Sequence, residues 1–213
     1  MLELRRISKL FAGIPAVEDV SFSALPGGVT GYLGPNGSGK SSTMKMIAGL
    51  LEATVGKILF NGRPIREDLI GYKRRMGYVP EEPFLYNHLS GMEYLTMVSQ
   101  LRGLHARESA DRIERLLQLL ALHGERHASI SGYSKGMRQK LLIVAALLHN
   151  PDLVLLDEPF SGLDVGSSRV HPTTVCQMVA RQSAFVPIDL LLHRFTFYCA
   201  TLPQVVESAL FCG

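Results

Sequence analysis

The feature that most constrains this chain is a glycine-rich run that ends in lysine and serine. It reads Gly34, Pro35, Asn36, Gly37, Ser38, Gly39, Lys40 and Ser41, and it fits the pattern G-x-x-x-x-G-K-[ST]. Glycines let the backbone curl until successive N–H groups point into one concavity, which binds anions. The lysine of such a loop reaches the β- and γ-phosphates of a nucleotide, and the serine hydroxyl ligands Mg²⁺. The run therefore predicts a phosphate-binding loop.

The segments on either side of the loop favour this interpretation over its alternative, a glycine-rich turn that happens to precede a lysine. Residues 29–33 form a short apolar segment typical of a strand. Residues 42–51, which begin with Ser42, predict a helix. Its apolar face carries Met44, Ile47, Ala48 and Leu51. A helix in this position aims its positive N-terminal end at the phosphates.

A second motif lies far downstream, where an apolar run ends in two carboxylates. Residues 153–156 read Leu-Val-Leu-Leu, and Asp157 and Glu158 follow them. Such a run predicts a strand buried on both faces of a parallel sheet, and ligands gather at the carboxyl ends of these strands. We expect Asp157 to hold Mg²⁺ beside the phosphate loop and Glu158 to polarise the attacking water. The pair alone also fits a solvated turn, but phosphoryl transfer needs both groups, which favours the first interpretation.

A third motif, shortly before the second strand, carries a family resemblance. The segment Tyr133-Ser134-Lys135-Gly136-Met137-Arg138-Gln139 resembles the signature motif of the ATP-binding subunits of ABC transporters. Ser134 and Gly136 fit the serine and glycine that stand two apart at a helix start in that family. The other interpretation of Ser134 is an ordinary N-cap before an apolar helix over 141–148. Both can hold, because a capped helix start that faces a phosphate is an anion site.

The resemblance implies four further functional residues. Phe11 lies where the family stacks an aromatic ring on adenine, with a core phenylalanine as the alternative. Asp164 resembles the carboxylate of the family's D-loop. Glu81 stands where the family usually has a glutamine that contacts Mg²⁺ and the attacking water, and a carboxylate can still ligand Mg²⁺. His193 is at roughly the distance of the histidine that contacts the γ-phosphate, although the small polar residues that normally precede it are missing.

The resemblance covers roughly residues 1–170 and implies a fold. The expected fold is α/β: a P-loop NTPase (RecA-like) core with an N-terminal β subdomain and a helical subdomain inserted at about 83–132. Inside that insertion, residues 108–122 predict an amphipathic helix. Its buried face carries Ile113, Leu116, Leu117 and Leu120.

The resemblance also implies a mechanism and partners. Two ATP-binding subunits, identical or different, are expected to sandwich two ATP molecules with Mg²⁺. Each site would combine Lys40 and Ser41 of one chain with Ser134 and Gly136 of the other. Dimer motion would drive a separate transmembrane permease subunit, and the chain is expected to be cytoplasmic, peripheral on the cytoplasmic face of the cell membrane.

The composition agrees with this assignment and leaves two alternatives open. A formal charge of +3 over 213 residues is too small to argue for nucleic acid as the main partner. Neither a signal peptide nor a stretch long enough to span a membrane is visible in the sequence. The alternatives are a non-transport ABC-type ATPase and a nucleotide-binding module that does not hydrolyse ATP.

Residues 171–213 form an atypical tail. All three cysteines, Cys176, Cys199 and Cys212, lie in it, and no lysine occurs after Lys140. We therefore expect the chain to be truncated or frame-shifted near Val170, and sequencing of the source gene tests that hypothesis. Three is an odd number and the spacing fits no metal site, so the cysteines carry no redox or metal prediction.

Overall fold

A computed structural model describes residues 1–26, 29–157 and 206–211, and for 206–211 it describes the backbone alone. The described strands are Leu2–Phe11 (β1), Ile14–Ala24 (β2), Val29–Leu33 (β3), Val55–Phe60 (β4), Arg63–Pro64 (β5), Met76–Val79 (β6), Leu153–Leu156 (β7) and Val206–Phe211 (β8). The described α-helices are Lys40–Ile47 (α1), Leu69–Arg74 (α2), Gly91–Leu101 (α3), Ala106–Leu119 (α4) and Lys135–Leu147 (α5). Short 3₁₀ turns lie at His123–Glu125 and Ile130–Gly132.

An antiparallel sheet in the order β2-β1-β4-β5 forms the N-terminal part of the fold. Its central strand β1 buries Leu2, Leu4 and Ile7, while the positions between them are partly or fully exposed, so one face of the sheet packs on the core. Strands β4 and β5 are joined at Asn61 and Gly62, which both have positive φ, as a tight hairpin turn between right-twisted strands requires.

Two parallel strand pairs, β3 with β8 and β6 with β7, form the remaining described sheets. All four residues of β7 are buried, which confirms the predicted strand. Leu153 and Leu155 pack in one hydrophobic cluster with residues of α1, whereas Val154 and Leu156 pack in another with residues of α3, α4 and α5. Because successive side chains of a strand point to opposite faces, β7 lies between α1 and α5. This is the layered arrangement of an α/β protein.

Helices α3 and α4 pack against each other and against α5. Helix α3 begins with a capping box, in which the Glu93 N–H donates to Ser90 Oγ and the Ser90 N–H donates to the Glu93 carboxylate. Helix α4 buries the apolar face that its sequence predicts. The buried residues are Ile113, Leu116 and Leu117 in the helix and Leu120 just after it.

Helices α1 and α4 differ from their predicted bounds. Helix α1 ends at Ile47 rather than at 51, because Gly49 has a φ of 65°, a left-handed conformation that commonly ends helices. Helix α4 spans Ala106–Leu119 rather than 108–122, and Ala121, just beyond its end, has a φ of 50°. Helix α5 begins at Lys135, directly after its predicted N-cap Ser134. Within the described ranges, every helix is too short or too polar to cross a lipid bilayer.

Candidate functional site

The glycine-rich run forms a curled loop that leads directly into α1. Gly37 and Gly39 have φ values of 85° and 84°, and the Ser38 N–H donates to the Pro35 carbonyl at 3.2 Å. The Lys40 ammonium donates to the carbonyl oxygens of Gly34 and Pro35, both at 2.9 Å. Because α1 begins at Lys40, the N–H groups of its first turn, which have no acceptors inside the helix, lie at the end of the loop. This geometry suits a phosphate group.

The loop rests on the hairpin that carries Phe11. Gly39 lies against Ala16 of β2, and Phe11 of β1 pairs with Ile14 two residues earlier on that strand. The Phe11 ring is 48% exposed, and the Lys9 ammonium lies 5.1 Å from its centroid. Phe11 is therefore not a core residue, and its partly exposed ring offers a surface for stacking.

Asp157 follows the last residue of β7 and is buried, with 8% of its surface exposed. Its N–H donates to the carbonyl oxygen of Val79 on the neighbouring strand β6, at 2.9 Å. Glu81 follows two residues after Val79 and is exposed. The parallel pairing of β6 and β7 therefore brings the ends of both strands, and the acidic residues after them, to one edge.

The pKa of Tyr78 indicates that the carboxylates of Asp157 and Glu81 both lie near this side chain. Burial first, and then the negative charges of Asp157 and Glu81, raise the pKa of its phenol to about 12. Both carboxylates therefore lie within electrostatic range of one side chain. The phenol stays neutral at physiological pH.

The predicted oxygen donors have the chemistry that Mg²⁺ prefers. They are the Ser41 hydroxyl, which is exposed at the start of α1, and the carboxylates of Asp157 and Glu81. Among the described residues there is no cluster of three histidine, cysteine or acidic side chains that holds a metal alone. Mg²⁺ in nucleotide sites usually takes only one or two carboxylates and completes its shell with phosphate oxygens and water. The donor set therefore fits a Mg–nucleotide complex.

Ser134 and Gly136 lie at the start of α5. Ser134 is exposed and caps the helix, with its Oγ accepting from the Met137 N–H at 3.2 Å, which confirms the N-cap interpretation. Gly136 is buried. Tyr133 is buried and donates its hydroxyl to the Glu125 carbonyl at 2.7 Å. Tyr133 thereby fixes the helix start to the α4 side of the molecule.

Three predicted site residues, Glu158, Asp164 and His193, lie outside the described residues. Two residues close to the predicted site residues, Tyr78 and Gln139, were not predicted from the sequence. Tyr78 carries no motif, and its relation to the acidic residues arises only from strand pairing. Gln139 does carry a signal, since it is a polar residue one turn before Ile143 on the buried face of α5.

Comparison with known proteins gives concordant matches. Residues 17–161 match the ABC transporter family. The uncharacterized ABC transporter ATP-binding protein YxlF of Bacillus subtilis (strain 168) is 38% identical over 164 residues, which are 77% of this chain and 54% of YxlF. The chain thus spans about half the length of that relative.

Two solved structures share the fold. A structure of the ATP-binding subunit of an ABC transporter is 30% identical, with a TM-score of 0.85 over 100% of this chain and 85% of the other. A dimeric ATP-binding cassette in a post-hydrolysis state, bound to ADP and phosphate, is 21% identical, with a TM-score of 0.79 over 91% and 89% of the two chains. The predicted α/β P-loop fold is confirmed. With its phosphate loop, Asp157 and the Ser134 helix all inside the matched segment, the chain belongs to the ABC transporter family as an ATP-binding subunit.

Proposed function

We propose that this chain binds and hydrolyses ATP to power transport through a separate membrane subunit. The placement of Lys40 and Asp157 gives this function its main support. Lys40 begins α1 and Asp157 follows β7, and these two elements pack in one hydrophobic cluster. A loop lysine and a metal-holding aspartate on adjoining elements are the parts that phosphoryl transfer requires.

Each group at the site has a distinct role in this proposal. The loop N–H groups and Lys40 bind the phosphates. Ser41 and Asp157 would hold Mg²⁺, with Glu81 as a further oxygen ligand, and the ion would neutralise charge on the β- and γ-phosphates. Glu158 positions the attacking water.

The site is completed by a second copy or a related subunit. Each ATP would lie between the phosphate loop of one chain and Ser134 and Gly136 of the other. The exposed, capped start of α5 supports this arrangement, because a helix N-terminus attracts anions. The open ring of Phe11 is suited to stack on adenine, and the family resemblance assigns Asp164 and His193 to the same composite site. The likeness to a dimeric cassette that holds ADP and phosphate supports the pairing.

The domain bounds, the membrane partner and the cellular location proposed for this chain follow from its family. Residues 1–170 would form the ABC-type domain, supported by the match over 17–161. The partner would be a transmembrane permease contacted by the helical insertion and the Glu81 segment, which places the chain on the cytoplasmic face of the membrane.

Binding and hydrolysis of MgATP by the purified chain test the proposal. Lys40→Ala is expected to lose both activities, whereas Lys45→Ala, an exposed lysine in the same helix, keeps both. Glu158→Gln and His193→Ala are expected to keep binding and lose hydrolysis. Binding without hydrolysis by the parent chain would reduce it to a nucleotide-binding module, and no binding would contradict the proposal.

A further inference from the structure

Gln139 is a buried polar residue in the largely apolar helix α5. Its side chain is 0% exposed, and its Nε2 donates to the Pro80 carbonyl at 3.3 Å. Its Oε1 accepts no hydrogen bond from any described residue. Residues 141–148 of the same segment are all apolar and buried. An amide buried in apolar surroundings costs free energy unless it is hydrogen-bonded, so packing alone does not explain a glutamine here.

The acceptor of this hydrogen bond lies just beyond the β6–β7 ladder. The last strand pair is Val79 with Leu156, and the Asp157 N–H donates to the Val79 carbonyl. The Pro80 carbonyl is the next one in the chain after β6, past the end of the ladder, and Gln139 supplies its donor. Gln139 is therefore bonded to a segment that holds Asp157 at one end and continues into Glu81 at the other.

The C-terminal half of α5 is also in direct contact with β6. A Cβ atom on Gly77 would lie 2.3 Å from the Ala146 carbonyl oxygen, so only glycine permits this close approach. The hydrogen bond from Gln139 to Pro80 is a second contact between α5 and this segment. It lies in the N-terminal half of the helix, because Gln139 is five residues after Ser134. The start of α5 and the Pro80–Glu81 segment are therefore connected by one side chain.

We propose that Gln139 is a positioning residue that couples the two ATP sites of the dimer. The inference rests on the proposed function, in which Ser134 and Gly136 contact the ATP held by the partner chain. Asp157 and Glu81 serve the ATP held by their own loop. When the start of α5 moves, the hydrogen bond from Gln139 to the Pro80 carbonyl moves Pro80 and Glu81 with it. Such coupling is reciprocal, so the occupancy of either site affects the other.

Amide hydrogen exchange in the full chain without nucleotide tests the mechanical part of this inference. Ser134→Ala removes the N-cap and is expected to raise exchange at residues 135–138. If Gln139 transmits the change, exchange at Glu81 and Glu82 also rises, by about twofold or more, and this second effect disappears in a Gln139→Met background. An effect of Ser134→Ala confined to 135–138 overturns the inference, whether or not the Gln139→Met chain folds. An effect at Glu81 that persists in that background overturns it as well.

The ATP dependence of hydrolysis tests the functional part. Gln139→Met is expected to lower the Hill coefficient for ATP to about 1 and to lower kcat, while ATP affinity changes by less than about twofold. Ser109→Ala is the matched control, since it removes a buried hydroxyl that donates to the Ala106 carbonyl of α4 at 3.0 Å. A purely structural role would lower thermal stability in both variants and leave the Hill coefficient unchanged, which overturns the inference. Failure of the proposed function appears separately, as a parent chain that does not bind ATP, and the exchange experiment then decides the role of Gln139 alone.

Discussion

Gly39 lies so close to Ala16 that a Cβ atom on it would be 2.3 Å from the Ala16 carbonyl oxygen. The same atom would lie 2.7 Å from Cγ2 of Val17, and Gly39 has a φ of 84°, where side chains are strained. The phosphate loop can therefore lie this close to β2 only because Gly39 has no side chain. This contact joins the nucleotide loop to the N-terminal sheet.

Gly39→Ala is predicted to weaken ATP binding by at least about tenfold, because the loop must move away from β2 to relieve the clash. Gly37→Ala is the matched control. Gly37 has a similar φ of 85°, but nothing lies within 4 Å of the added atom, so only the backbone strain remains. Equilibrium binding of a fluorescent ATP analogue measures both variants. Equal losses in the two would show that the contact with Ala16 does not matter.

The acidic residues near Tyr78 are predicted to differ in their effect on Mg²⁺. Asp157→Asn is expected to raise the Mg²⁺ concentration for half-maximal ATP hydrolysis by about tenfold or more, because the buried carboxylate is the principal protein ligand. Glu81→Gln is expected to raise it by about threefold, because Glu81 is exposed and its amide replacement still offers an oxygen. A Mg²⁺ titration at saturating ATP measures both values. If Glu81→Gln instead lowered the requirement, Glu81 would act as a repulsive charge and not as a ligand.

The parts of the site that depend on short linear patterns were predictable from the sequence. Lys40, Ser41 and Asp157 belong to local strand–loop or loop–helix units, whose identity is fixed by a few adjacent residues. The hydrogen bond between Gln139 and Pro80 joins residues that are 59 positions apart, and no local sequence pattern predicts it. The early end of α1 also escaped prediction, since Leu51 continues the apolar period and only the φ of Gly49 ends the helix.

His149, just after α5, makes stability depend on pH. Its Nε2 donates to the Met76 carbonyl at 3.1 Å, and no described residue donates to Nδ1. Burial first, then the charges of Arg102 and Arg112, lower its pKa from 6.5 to about 4. The folded chain therefore holds His149 neutral, while the unfolded chain binds a proton near pH 6.5. Its contribution to stability is complete above pH 6.5 and is lost as the pH falls through 4.

His149→Gln, which keeps a donor for the Met76 carbonyl, is predicted to remove this part of the pH dependence. Between pH 7 and pH 4 the parent chain should lose about 2 kcal/mol more unfolding free energy than the variant, a value reduced from the full shift because the ring is only half-buried. Urea denaturation at several pH values measures the difference. Parallel pH profiles for the two chains would contradict a neutral, buried His149.

Tyr133→Phe is predicted to destabilise the contact between the start of α5 and the 3₁₀ turn at His123–Glu125, without affecting the phosphate loop. The substitution removes one of the two donors of the Glu125 carbonyl, which still accepts from the Ala128 N–H at 2.9 Å, at a cost of about 1 kcal/mol. ATP binding by the variant should stay within about twofold of the parent, since Tyr133 lies in the signature segment and not in the loop. Tyr86→Phe, at an exposed tyrosine, is the control for loss of a hydroxyl. Thermal unfolding that is equal in the two variants would contradict the structural role of Tyr133.

Under the proposed function, each ATP site is built from two chains, and mixing two inactive variants tests this arrangement. Lys40→Ala and Ser134→Arg chains are each expected to be inactive alone. In a mixed dimer both defects fall in one site and the other site is intact, so hydrolysis should return, to as much as about a quarter of the parent rate where the intact site works without its partner site. A mixture that stays at background beside an active parent chain would contradict the claim, because it would place Lys40 and Ser134 in the same site of a single chain.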